Sequence, residues 1–201
     1  MNDTQFNKVL IVVNALVPPS LLAWDWYRGN LGANPVEFVL ATTGVLTLIF
    51  LLISLAVTPL RKITGRNDLI RYRRMLGLFA FFYGCAHLVT YSIFDKSLDL
   101  SGIIEDVWQR PFIALGMSAL GILLPLAVTS TNGWVKRLGG KRWQKLHRLV
   151  YVAAVFGVVH FYLIQKSDFF WPIIAGIVLA ALFGYRLWVK FAPKVRSEAK
   201  A

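Results

Sequence analysis

Only three histidines occur in the 201 residues, and two of them, His87 and His160, lie inside long uncharged runs. An ionisable side chain in such a run is costly to bury in hydrocarbon, so each marks a candidate functional position. At 1.5 Å per helical residue, His87 stands roughly 18 Å into the run at 75–94, and His160 about 17 Å into the run at 149–165. Two imidazoles at one depth on different helices can clamp a haem iron from both faces of the porphyrin, while apolar neighbours keep the macrocycle out of water. Neutral ligands also avoid a buried charge. His147, within Trp143-Gln144-Lys145-Leu146-His147-Arg148, is different. On one ideal helix it lies about 20 Å from His160 and about 140° around the axis, so the two cannot share one iron. The position at the depth of His147 on the helix of His87 is Arg74, with Arg73 beside it. No histidine there completes a second clamp.

The elements that must carry these residues follow from the uncharged runs at 9–24, 38–60, 75–94, 111–128, 149–165 and 169–185. Each approaches the length needed to cross about 30 Å of hydrocarbon as a helix. The short first and last runs are extended by Trp26, Tyr27 and Trp188 and by the long cations Arg186 and Lys190, residues suited to the membrane interface. With 57% hydrophobic and 16% charged residues, the chain is too apolar for a soluble core of its size. The expectation is an all-α integral membrane protein of about six transmembrane helices, forming a single domain over 1–201. Pro18-Pro19 should kink the first helix.

The formal net charge of +12 does not point to nucleic acid, because the cations sit in short blocks between the runs. Arg61, Lys62, Arg66, Arg71, Arg73 and Arg74 precede the third run; Lys136, Arg137, Lys141, Arg142, Lys145 and Arg148 precede the fifth. With Lys8, Arg186, Lys190, Lys194, Arg196 and Lys200, they put 18 of the 22 Lys and Arg on one side. The opposite side carries Asp25, Glu37, Asp95, Asp99, Glu105, Asp106 and Asp168. The asymmetry predicts both termini in the cytoplasm. Opposite charge favours encounter, so the acids at 95–106 are candidates for docking a basic partner. Cys85 alone can form neither an intramolecular disulfide nor a cysteine metal site. Gly77, Gly84, Gly116 and Gly121 suit close helix packing, and Gly84 is one turn from His87. No internal repeat is visible, and the runs hold no carboxylate pair for a hydrolase or proton pump.

Arg71-Tyr72-Arg73-Arg74-Met75-Leu76-Gly77-Leu78, then Ala86-His87-Leu88, Thr129-Ser130-Thr131 and Trp143-Gln144-Lys145-Leu146-His147 with Tyr151 and His160 resemble the MsrQ (formerly YedZ) family. Members are haem-binding membrane subunits of the bacterial periplasmic methionine sulfoxide reductase system. Leu31-Gly32-Ala33-Asn34-Pro35-Val36 and Thr58-Pro59-Leu60 add to the likeness. More distantly, 38–165 resembles the ferric-reductase transmembrane domain of ferric reductases and NADPH oxidases. Those relatives carry two histidines on each of two helices, whereas here Arg74 stands where one of them would be.

The resemblance implies a b-type cytochrome of the bacterial inner membrane. It would take electrons from membrane quinones or cytoplasmic reduced flavin and pass them to a periplasmic molybdopterin-containing methionine sulfoxide reductase. Such a chain is an electron-transfer subunit and not itself the enzyme. His87, His160 and His147 are the expected haem-iron ligands, for one haem b, or for two if His147 holds a second iron with an atypical partner. FMN is a family cofactor, whose phosphate would suit the basic rim that includes Arg73 and Arg74. The competing readings are a self-sufficient transmembrane ferric reductase and, from another class, a small proton-coupled transporter.

Overall fold

A computed structural model describes residues 3–191. The helices are α1 (Asp3–Arg28), α2 (Pro35–Thr64), α3 (Arg73–Thr90), α4 (Leu100–Gln109), α5 (Pro111–Val128), α6 (Asn132–Leu138), α7 (Gly140–His147), α8 (Val150–Ile164) and α9 (Phe170–Phe191). A 3-10 turn at Asn67–Arg71 leads into α3, and a π-helical turn at Tyr91–Asp95 continues it. Six of these segments are long and apolar enough to cross a membrane: α1, α2, α3 with its π turn, α5, α7 with α8, and α9. They match the six uncharged runs. Lys194, Arg196 and Lys200, counted above with the basic side, lie outside the described residues.

Local chemistry sets the helix ends. Pro35 opens α2, where its missing N–H is no loss, and the Asn34 side chain accepts from the Glu37 amide while donating to its carboxylate. Gly65, at φ 70°, closes α2 in the left-handed conformation that a side chain would disfavour.

Prolines inside helices do more than bend them. Each removes one N–H and leaves the carbonyl four residues earlier without its helical partner. Pro19 frees the Ala15 carbonyl, which accepts instead from the Tyr83 hydroxyl of α3. Pro59 frees the Leu55 carbonyl, which accepts from the Arg186 guanidinium of α9 at 2.6 Å. Neither proline ends its helix, and α1 continues through both Pro18 and Pro19. Tyr83→Phe therefore leaves a buried carbonyl unpaired and should cost about 1–3 kcal/mol. In a Pro19→Ala background, where the substituted residue regains a backbone N–H that can supply the bond, most of that cost should disappear. A double-mutant cycle on unfolding in detergent measures the coupling, and additive effects would break the link.

The central packing joins five helices. Leu51 and Leu55 of α2, Ala80 of α3, Leu123 and Leu126 of α5, Ala153 and Ala154 of α8 and Leu179 of α9 form one buried cluster. Ala80 of α3 and Ala153 and Ala154 of α8, all fully buried, let neighbouring backbones approach closely. Outward-facing leucines, valines and aromatics remain exposed over the rest of the spans, as expected where lipid is the solvent.

The segment between the third and fourth spans is folded, not a loose loop. Asp106 of α4 is buried and accepts from the Tyr91 hydroxyl at 2.6 Å while pairing with Lys96 and Arg110. The Lys96 ammonium and the Tyr91 hydroxyl hold its carboxyl below the ordinary aspartate range. Asp99 caps α4 through the Ser101 amide. Two of the acids considered for docking are thus engaged in holding α4, and Asp106 is withdrawn from any partner. The sequence pattern shows the charges but not that three of their neighbours converge on one of them. The outer face of α4 carries Leu100, Ile104 and Trp108, all exposed, as on a helix lying at a membrane interface.

Candidate functional site

His87 projects from α3 toward α2. Its Nδ1 lies 3.0 Å from the Leu40 carbonyl oxygen and 3.5 Å from the Thr43 hydroxyl. His160 projects from α8 toward α5, with Nδ1 2.6 Å from the Phe112 carbonyl oxygen. A carbonyl can only accept, so in each ring Nδ1 carries the hydrogen and Nε2 keeps its lone pair. This fixes the ring, its tautomer and its ligating atom together, the arrangement that metal-bound imidazoles use.

The two rings meet. Their centroids are 6.2 Å apart and their planes stand at 85°. A ligand–metal bond of about 2.0 Å on each side, with about 1.2 Å from ligating atom to ring centre, puts two imidazoles sharing a metal about 6.4 Å apart. Neutral nitrogen donors, a separation of that size and a surrounding of apolar side chains fit a haem iron held between the rings.

Glycines create the room. A Cβ on Gly44 would lie 3.2 Å from both Cε1 and Nδ1 of His87, and one on Gly116 would lie 3.0 Å from the same two atoms of His160. Each glycine is one turn beyond the carbonyl that holds the ring, Leu40 before Gly44 and Phe112 before Gly116. His87 follows Gly44 by 43 residues and His160 follows Gly116 by 44. In the sequence Gly116 reads as a helix-packing glycine, and nothing there marks Gly44 or the two carbonyls. Such a glycine carries no signal until its neighbour across the helix pair is known. Gly84, which stands closest to His87 in sequence, serves packing: its Cβ would meet Leu120 at 3.0 Å.

His147 belongs to a separate element. α7 ends at His147, and i→i+3 bonds at Arg148 and Leu149 tighten the chain before α8 begins. The ideal-helix angle between His147 and His160 therefore does not apply, although the two remain on opposite sides of this break. The Thr129 hydroxyl donates to the Pro125 carbonyl at 2.6 Å and so accepts from His147 Nε2 at 3.1 Å. Trp143 stacks on the His147 ring at 3.9 Å and donates to the Thr129 carbonyl at 2.9 Å. His147 Nε2 is thus engaged, unlike the same atom of the other two histidines.

Arg73 and Arg74 are electrostatic neighbours of His147, so the structure does bring the three together. They turn different ways, however. Arg74 donates to Asn132 Oδ1 at 2.8 Å. Arg73 has Tyr151 and Arg186 as its electrostatic neighbours. Thr129, Trp143 and Tyr151 are visible in the sequence motifs, but Arg186 reads there as a cation of the lipid interface.

The ferric reductase like transmembrane component family matches residues 40–158. The chain is similar to the "Protein-methionine-sulfoxide reductase heme-binding subunit MsrQ" of Herminiimonas arsenicoxydans, with 49% identity over 96% of this chain and 90% of that one. The protein of that name from Ralstonia nicotianae is 47% identical over 90% of this chain and 84% of its own. The one from Caulobacter vibrioides is 45% identical over 89% and 85%.

Proposed function

Because the chain belongs to the MsrQ family, within the ferric reductase like transmembrane components, we propose that it is the haem-carrying electron-transfer subunit of a methionine sulfoxide reductase system. It is a multi-pass bacterial membrane protein, and the reading sets it in the inner membrane with both termini in the cytoplasm. The observation that carries the reading is the His87/His160 pair, whose ring centres lie 6.2 Å apart with each Nδ1 tied to a carbonyl.

Bound there, a b-type haem supplies reversible one-electron chemistry. The chain's own residues do the rest. His87 and His160 would hold the iron through Nε2, Leu40 and Phe112 fix the rings, and the apolar helices exclude water. At the other end His147, Arg73 and Arg74 receive the donor, a membrane quinol or a reduced flavin such as FMN. The forked guanidinium would match a quinone oxygen or a phosphate, and lysine does not reproduce that fork. His147 acts at this end, where its Nε2 meets the Thr129 hydroxyl. The acceptor is a separate periplasmic molybdopterin-containing reductase, which carries the catalysis.

The test is spectroscopic. The purified chain should show a reducible low-spin haem, reduced by quinol or flavin as well as by dithionite. Arg74→Lys and His147→Ala should slow only the physiological donor, on the order of tenfold or more for loss of a charge-assisted contact, and leave dithionite reduction unchanged. A protein expressed with ample haem that shows no such signal would sink the redox reading. Reduction of ferric ion without any periplasmic partner would favour a self-sufficient reductase instead.

A further inference from the structure

The residues of α4 divide into three strips. Ile103 and Asp106 are buried on the side packed against the bundle. Leu100, Ile104 and Trp108 fall within about 80° of one another on the helix, and they are 72%, 61% and 85% exposed. Ser101, Glu105 and Gln109 make the third strip, also exposed, where Gln109 donates to the Glu105 carboxylate at 2.6 Å. Three large apolar side chains grouped on one side of so short a helix call for a cover.

Depth tells what that cover is. The chain leaving the third span turns back on it: the Leu98 amide donates to the Ser92 carbonyl at 2.7 Å, and the Lys96 amide to the Tyr91 carbonyl at 3.0 Å. Ser97 and Leu98 take left-handed conformations, at φ 51° and 61°, to make that reversal, although side chains disfavour them. Leu98 is thereby held beside the last turn of a span that ends at Asp95. Farther along α4, Asp106 is tied to the Tyr91 hydroxyl at 2.6 Å. At the far end a single residue, Arg110, separates Gln109 from Pro111, where the fourth span begins. Trp108 therefore lies within about 11 Å of Pro111. A helix about 15 Å long, tied near both ends and between them to the last turn of one span and the start of the next, lies across the bundle at their depth. Phe94, in the same last turn, packs on Trp26 of α1 at 5.1 Å, so aromatics of the kind that mark a bilayer interface stand at this level too.

We infer that bilayer lipid covers the Leu100, Ile104 and Trp108 strip, and that α4 is sunk in the membrane interface. The charges agree with this placement. Asp106, on the buried side, is paired with Lys96 and Arg110, while Glu105 lies on the third strip. Only Ser101, Glu105 and Gln109 then face water, and a soluble protein meeting α4 would meet that strip. Tyr91 follows His87 by one helical turn, and Arg110 precedes Phe112 by two residues. The lipid-held helix thus closes the end of the bundle next to the two imidazoles. None of this depends on a haem, since it uses only the span ends and the sides of α4.

The full-length protein in nanodiscs of phosphatidylethanolamine and phosphatidylglycerol, without any partner protein, provides the test. Cys85→Ser removes the only native thiol, and a nitroxide is attached to Ile104→Cys or to Glu105→Cys. Relaxation by oxygen, which concentrates in lipid, is compared with relaxation by a water-soluble nickel chelate. The label at 104 should respond mainly to oxygen and read about 5–10 Å into the headgroup and acyl boundary, and the label at 105 mainly to nickel. Leu100→Cys, on the same strip as Ile104, gives the reading if Ile104→Cys does not fold. A label at 104 that responds to nickel as strongly as the label at 105 would overturn the inference and leave the strip open to a protein partner. Shielding of the label at 104 from both reagents would overturn it as well, in favour of a second copy of this chain.

Discussion

Alanine at either His87 or His160 is expected to remove the low-spin haem signal while the protein still inserts and folds. The loss should be nearly complete in each single variant, because both rings face the same centre and no third imidazole can replace a missing one. His147 is committed to Thr129 and lies beyond the break between α7 and α8. Removing a group that merely orients a ligand typically costs 10–100-fold in metal affinity, so removing the ligand should exceed about 100-fold. Haem content per protein, measured as the pyridine haemochrome, gives the first readout, and membrane-fraction yield controls for folding. A normal bis-imidazole spectrum in either variant would rule out the pairing. Loss in one variant alone would mean that the second ligand lies elsewhere.

A methyl group on Gly116 should do nearly as much. In Gly116→Ala the added Cβ would fall 3.0 Å from Cε1 and Nδ1 of His160, tighter than most real carbon contacts, and the ring is pinned by its bond to Phe112. The ring must give by a few tenths of an ångström, which strains that bond and turns the ligating direction of Nε2. Overpacking of this kind costs about 1–3 kcal/mol before any effect on the metal. We expect haem affinity to fall roughly tenfold or more, by the reasoning that applies to lost orienting groups, with the bound fraction showing a shifted spectrum and midpoint potential. Gly44→Ala should act in the same direction and more weakly, since its Cβ would meet His87 at 3.2 Å. Gly121→Ala, with nothing within 4 Å of the added carbon, should retain haem and gain slight helix stability. Equal haem retention in the three glycine variants would remove the seating role.

The membrane helices were legible because lipid enforces a simple code, long uncharged runs separated by charge, and the two mid-span histidines stood out for the same reason. What the chain does not display is anything made by the backbone of another helix. The Leu40 and Phe112 carbonyls have no residue type to betray them, and the roles of Gly44 and Gly116 exist only once α2 lies against α3 and α5 against α8. Charge was misleading where it was internally balanced: Asp106 reads as a surface acid, yet Tyr91, Lys96 and Arg110 enclose it. Arg186 erred the other way. Its place near the end of the last run suggests an interfacial cation, and only the missing amide of Pro59, on a helix far away in the chain, draws it inward.

The equal spacing in the two halves of the site, a carbonyl, a glycine one turn on, and a histidine 43 or 44 residues later, has an architectural consequence. α2 with α3 and α5 with α8 are two helix pairs built on one pattern, each bringing one imidazole to the same place. In that register further positions coincide, Leu51 with Leu123, Ala80 with Ala153 and Gly84 with Gly157. The two sides of the centre are then alike in ligand, orienting carbonyl and seating glycine, while the two ends of the bundle differ, with the cationic rim at one and the α4 segment at the other.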